Sequence, residues 1–341
     1  MRAGIDAPQP IAGAALDSLL EHHLADWASG TSRIPAAAGL DGFGSVALGE
    51  AVMFRDVPLF WGDDGAGGGA ILESVFGQCL GLVQASRLGG APAAEGEEGR
   101  DRLATIPVAG RTYLNVDLAT PSGVARAGEL ELGTSGMADV AYSPLLHEVV
   151  AELFSATNQG RLFVLVRHPV ERELARFRRL RTEEPTTGAP PDPSGPERDM
   201  SYVQFAHSDY VANNWMTRTL ARKSEGEELT AEDLRTAKEI LRRKALIGLY
   251  GDIFGATRHY ARHFGWDHAR NGGALNKGTL KCFESAIAEG MRRDSNWNIG
   301  LAESETREGS TAWKKIMEKN LFDFELFAYS QQLYKFQVAL S

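Results

Sequence analysis

The chain has 341 residues and a mass of 37.0 kDa, with 43% apolar and 24% charged residues, the balance of an ordinary globular protein of one large or two modest domains. Its longest apolar stretch, 70–85, is broken by Glu73, Gln78 and several glycines, so no segment supplies the about twenty apolar residues of a membrane-spanning helix. A net charge of −9 and a pI near 5.5 exclude nonspecific coating of nucleic acid or anionic membrane, and any bound anion must be held by a local patch.

In chain order, Leu16, Leu20, Leu24 and Trp27 recur at helical spacing and predict a helix over 11–27, inside a helical N-terminal segment (1–50) that precedes the main domain (51–341). Val57 to Trp61 reads as a short strand, 62–70 as a glycine loop, and the apolar residues that follow as a helix to about Ser86. The stretch 89–101, rich in Ala, Gly and Glu, is an exposed insertion. A strand is expected over 112–117, a helix over 122–132, a strand over 138–142 and a helix over 144–154. Arg161 to Val166 is a nearly continuous apolar run, as in a central parallel strand covered on both faces. Pro169 then opens a helix where a missing N–H costs nothing.

Five prolines in 183–199 mark a second exposed insertion. Thr230 and Asp233 resemble a capping box for a helix to about Lys244, a strand follows over 245–250, and helices over 311–319 and 323–337 close the chain. Strands alternating with helices predict an α/β domain, a parallel sheet with helices on both faces.

Cys79 and Cys282, 203 positions apart with no metal-ligand spacing around them, read as buried free thiols, with one long-range disulfide as the alternative. His259 and His263 lie one helical turn apart with no evident third metal ligand and read as charged helix surface; His22 and His23 read as solvated.

Two segments have the chemistry of anion sites. The loop Gly65, Ala66, Gly67, Gly68, Gly69, Ala70 lies between a strand and a helix, where backbone N–H groups can face a phosphate, but it carries no Lys, Ser or Thr. Taken alone it reads as a flexible turn. The second segment, Arg167 to Arg172, sits where the central strand gives way to a helix, the ligand-binding edge of a parallel sheet. Between Arg161 and Arg181 there are seven Arg against two Glu, a local reversal of the chain's charge. Arg176, Arg178, Arg179 and Arg181 read as a solvated helix face, whereas Arg167, at the strand end, is placed to hold a phosphate.

With both segments in view, the chain resembles the sulfotransferases that use 3′-phosphoadenosine 5′-phosphosulfate (PAPS), of the carbohydrate type that includes heparan sulfate 2-O-sulfotransferase. The resemblance runs from about Val57 to the C-terminus. The family's second motif, Arg-[Asp/Asn/His]-Pro-x-x-Arg-x-x-Ser-x-[Phe/Tyr], is matched by Arg167, His168, Pro169, Arg172 and Phe177, with Ala175 in place of the serine. Asn214 to Arg218, Gly309 and Ser310 with Trp313, and the helix from Phe322 to Gln337 resemble further family segments. In the first motif Gly65 replaces the lysine, Ala66 the Ser/Thr, and Gly69 and Ala70 the threonines.

The resemblance implies a P-loop nucleoside-triphosphate-hydrolase-like fold, PAPS held by residues 65–70 and Arg167, and sulfuryl transfer to a hydroxyl of a carbohydrate. It also implies His147, twenty residues before Arg167, as general base with Glu148 in reserve. The alternative is a catalytically impaired binding or scaffold protein. The family implies the Golgi lumen, whereas Met1 to Gly13 lacks a secretory signal, so that either the protein stays in the cytosol or an anchor lies outside this sequence.

Overall fold

The computed structural model describes residues 39–46, 56–63, 66–90, 101–181, 199–269, 275–296, 301 and 303–340. The helix expected over 11–27, His22, His23 and most of the two expected insertions, at 91–100 and 183–198, lie outside the described residues.

Seven strands form one sheet: β1 (Pro58–Trp61), β2 (Gln84–Ala85), β3 (Thr105–Val108), β4 (Arg111–Leu114), β5 (Val140–Ser143), β6 (Arg161–Val166) and β7 (Ala245–Leu249). Their spatial order is β3-β4-β2-β5-β1-β6-β7, parallel throughout except that β3 runs antiparallel to β4. Pro107 lies in β3, on the outer edge, where a residue that cannot donate to the ladder is tolerated. Every residue of β1, β5 and β7 is buried, and all of β6 after Arg161, so both faces of the sheet's centre are covered. Phe163 of β6 is the hub of the core, edge-on to Phe60, Tyr260 and Phe264 at 5.4, 5.0 and 5.3 Å between ring centroids. Leu40, Phe43 and Val46 join the same core, and Phe43 bridges to Gly160. Residues 39–46 therefore pack with the main domain although the sequence places them in the N-terminal segment.

The helix after β1, α1 (Gly69–Cys79), ends well before Ser86. Gly81 adopts φ 63° just beyond it, and Gln84 and Ala85 are taken into the sheet between β4 and β5. Next come α2 (Pro121–Glu129), capped by Thr120 on the N–H of Gly123, α3 (Leu146–Leu153), α4 (Pro169–Arg181) and the short α5 (Tyr202–His207) and α6 (Trp215–Ala221). Both bonds of the expected capping box join Thr230 and Asp233 at the start of α7 (Ala231–Lys244). After β7 follow α8 (Ile253–His263), α9 (Trp266–Ala269), α10 (Lys277–Asn296), α11 (Glu303–Thr306), α12 (Thr311–Lys319) and α13 (Leu321–Leu340).

Cys79 and Cys282 are not free thiols. They form a disulfide, because α1 and α10 pack side by side and bring the two Cα atoms to 5.7 Å.

A buried polar knot ties α4, α6 and α13. Arg172 donates from Nη1 to Asp323 Oδ2 at 3.0 Å and from Nε to Glu173 Oε1 at 3.2 Å. Asp323 also accepts from the N–H groups of Met216 and Thr217 (3.1 and 2.8 Å), capping α6 from a distance. Asn214 returns the cap, its Oδ1 accepting from Phe322 N (2.8 Å) and Asp323 N (3.0 Å) at the start of α13. Burial alone would lower the Arg172 pKa, but Asp323 and then Glu173 outweigh it and raise the value.

Asp323→Ala leaves the buried Arg172 with Glu173 as its one carboxylate and uncaps α6, and should lower unfolding free energy by about 3 kcal/mol, read as a lower urea midpoint; a midpoint equal to wild type would mean that the knot carries no stability. Opening the disulfide, by reductant or by Cys79→Ser with Cys282→Ser, should cost about 2–5 kcal/mol in the same assay. An identical midpoint with and without reductant would show that the bond constrains nothing.

Candidate functional site

The connection from β1 leads past β5 to β2, whereas that from β6 leads the opposite way to β7. Between the carboxyl ends of β1 and β6 the chain therefore diverges, and such a switch point leaves a crevice. The loop after β1 lies there. Asp64 and Gly65 fall outside the described residues; Ala66, Gly67, Gly68 and Gly69 are buried and Ala70 is exposed.

Packing accounts for two of these glycines. Gly68 has φ 86°, and a Cβ on it would lie 2.7 Å from the Tyr250 ring and 2.9 Å from Leu165, while one on Gly69 would lie 2.6 Å from the Phe60 ring. Threonine, the family residue at position 69, does not fit without moving Phe60. Helix α1 starts with no side-chain cap and no acid in its first turn, so its first N–H groups, from Gly69 and Ala70, have no intrahelical partner.

Arg167 crosses the crevice. Its Nη1 donates to Ala66 O at 3.0 Å and to Asp294 Oδ2 at 2.9 Å, and its guanidinium lies 3.9 Å from the centre of the Tyr250 ring. Tyr250 donates its hydroxyl to the same Asp294 oxygen at 2.7 Å. The two segments singled out in the sequence thus meet, but the arginine's charge is shared with a carboxylate on α10. Arg178 stands near enough for Arg167 to help depress its pKa, after burial as the larger cause. Arg179 lines the cleft. These two arginines turn inward, against the expectation of a solvated face.

From the start of α1 a cleft of about 460 Å³ runs between β5 and α10. Phe60, Tyr142 and Ser86 line it together with Glu73, the single charged residue of α1. Ser86 Oγ donates to Glu73 Oε1 at 2.5 Å. Burial raises the Glu73 pKa, opposed in order by Ser86, Arg111 and Arg87. The buried hydroxyl of Tyr142 has no hydrogen-bond partner among the described residues. Neither Glu73 nor Tyr142 belongs to a motif in the sequence, although a lone carboxylate in an apolar helix is a visible signal.

His147 is placed elsewhere. Its Nε2 lies 2.6 Å from Thr219 O, a carbonyl of α6, and it does not line the cleft; Glu148 is exposed on the first turn of α3. His259 and His263 are packed inward rather than forming charged surface, and burial lowers each pKa to about 4. Among the described residues no group of three His, Cys, Asp or Glu is arranged to hold a metal ion. His168 stacks on Trp313 and meets Phe324 and Phe327 edge-on, and burial lowers its pKa to about 4.

Comparison with protein-family models, curated proteins and solved structures matches the chain to none of them.

The three inward histidines make stability acid-sensitive. Their folded pKa of about 4 lies below the ordinary value of about 6.5, so between these limits the unfolded chain binds more protons. Stability should therefore fall as pH drops from about 6.5 towards 4, with no further loss from these groups below that. Urea midpoints at pH 7 and pH 5 read this, and His168→Phe should flatten the slope; an unchanged slope would remove His168 from the account.

Proposed function

We propose that the chain is a PAPS-dependent sulfotransferase with a P-loop-like sheet, taking PAPS in the switch-point crevice and transferring its sulfuryl group to a hydroxyl of a carbohydrate. The observation that carries this reading is the contact between Arg167 and Ala66, which joins the two family-like segments at the start of α1. The fit of the nucleotide is good at its phosphates. Helix N–H groups of Gly69 and Ala70 and the guanidinium of Arg167, whose Nε is buried without a partner among the described residues, suit phosphate oxygens. The fit is poor where a sulfuryl group would leave. Ala66, Gly69 and Ala70 offer neither cation nor hydroxyl to the bridging oxygen, so we derive no transfer step. The disulfide supports an oxidising compartment such as the Golgi lumen.

A second reading, a non-catalytic nucleotide-binding or scaffold protein, is favoured by the Asp294 carboxylate that already neutralises Arg167.

Calorimetric titration with 3′-phosphoadenosine 5′-phosphate separates these cases. Arg167→Ala should weaken binding about tenfold or more, since a charge-assisted bond to phosphate contributes about 1.5–3 kcal/mol. Asp294→Asn should tighten it by releasing the guanidinium. No binding, or equal affinity in all three proteins, rejects the crevice as the nucleotide site. Binding without sulfuryl transfer to any carbohydrate acceptor selects the second reading.

A further inference from the structure

We propose that Arg178 is a second cation of the switch-point crevice, and that it and Arg167 together grip a phosphate monoester and prefer it to a singly charged phosphate. The first ground is what Arg178 lacks. Other arginines of α4 have partners: Arg172 is held by Asp323 and Glu173, Arg181 lies 5.8 Å from the centre of the Phe177 ring, and Arg179 is engaged as well. Arg178 is half-buried, its Nε is buried without a partner, and it forms no ion pair among the described residues. The helix dipole favours a cation in the last turn of α4, but a solvated one serves it equally, so the dipole does not account for the inward turn.

The second ground is where Arg178 stands. The groups that act on it are those of the crevice: after burial, Arg167 lowers its pKa, and Asp294, Tyr202 and Tyr250 oppose this. None of the three cancels its charge. Asp294 is committed to Arg167 at 2.9 Å and to the Tyr250 hydroxyl at 2.7 Å, and burial raises the pKa of both tyrosines, which stay neutral near pH 7. Glu171, in the first turn of α4, forms no ion pair with either arginine among the described residues. Two guanidinium groups thus have one carboxylate between them, and the Nε of Arg167 also lacks a partner.

The third ground is the chemistry that such a pair recognises. Like charges held together away from water repel, and a negative group lying against both turns the repulsion into two attractions. A phosphate monoester carries about two negative charges near pH 7 and several acceptor oxygens, which suit two guanidinium forks. A phosphate diester carries a single charge and gains less from the second cation.

Naming Arg178 as the selecting residue extends the nucleotide reading. Which molecule bears the phosphate rests on that reading, but the grip on phosphate does not.

The test uses the intact, disulfide-bonded chain, with methyl phosphate and dimethyl phosphate titrated by ligand-observed NMR and 3′-phosphoadenosine 5′-phosphate by calorimetry. Methyl phosphate should bind, and dimethyl phosphate more weakly. Arg178→Met keeps the packing of the stem and removes the charge. It should weaken methyl phosphate and the nucleotide about tenfold or more and narrow the gap between the two esters. The melting temperature of the ligand-free variant should equal that of wild type or rise, a result that a merely structural arginine would not give. Arg178→Lys should restore part of the affinity. Methyl phosphate held equally by wild type and Arg178→Met, no preference between the esters, or a lowered melting temperature with loss of both would overturn the proposal. Nucleotide binding that Arg178→Met leaves unchanged would reject the grip and keep the nucleotide reading. Methyl phosphate binding that needs Arg178, in a chain that does not bind the nucleotide, would sustain the grip and reject the sulfotransferase reading. Binding of neither would reject both.

Discussion

The meeting of Arg172 with Asp323 is the constraint on which the packing of α4, α6 and α13 depends. Helix α4 leaves the sheet directly after Arg167 and His168, so whatever fixes α4 also fixes the end of β6. A buried cation tolerates no alternative position once its carboxylate is in place, because separating the pair exposes each to a low-dielectric interior without compensation. The same carboxylate closes the first turn of α6, and Asn214 closes that of α13 in return. Two helix starts that are distant in sequence therefore have one common set of partners. With α13 held in this way, Gln337 reaches β7, its Oε1 accepting from Ile247 N at 2.7 Å and its Nε2 donating to Ala245 O at 3.0 Å.

Features of local origin were legible in the sequence. The apolar run of β6, the capping box at Thr230, the helix opened by Pro169 and the helix pair at the C-terminus each depend on residues within a turn or two of one another, and each stands where the pattern places it. What the pattern missed is set by packing between distant segments. Nothing near Cys79 or Cys282 indicates that α1 and α10 lie side by side, and nothing near Arg167 indicates that Asp294, 127 residues on, takes up its charge. The inward turn of His259 follows from the docking of α8 against β7, which no count of polar residues along the helix reveals.

The segments that most resemble a ligand-binding motif have structural duties in this chain. Arg172 is committed to the polar knot, Asn214 to the cap of α13, and Trp313 to the stack with His168. Gly68 and Gly69 let the loop lie against Tyr250 and Phe60. A short motif can thus persist because the fold needs it, and the groups left to meet a ligand are those without such duties, the first N–H groups of α1.

The two outer strands of the sheet have a bearing on self-association. A strand with open N–H and C=O groups is a template on which another chain can add itself, and an apolar sheet of this width would make such growth favourable. Here β3 carries Pro107, which cannot donate, and β7 has its Ile247 N–H and Ala245 carbonyl taken by Gln337 of the same chain. Among the described residues each border of the sheet is blunted by one side chain, Pro107 within β3 and Gln337 from α13, which packs on β7, and a change at either position would reopen a backbone group on which another strand could build.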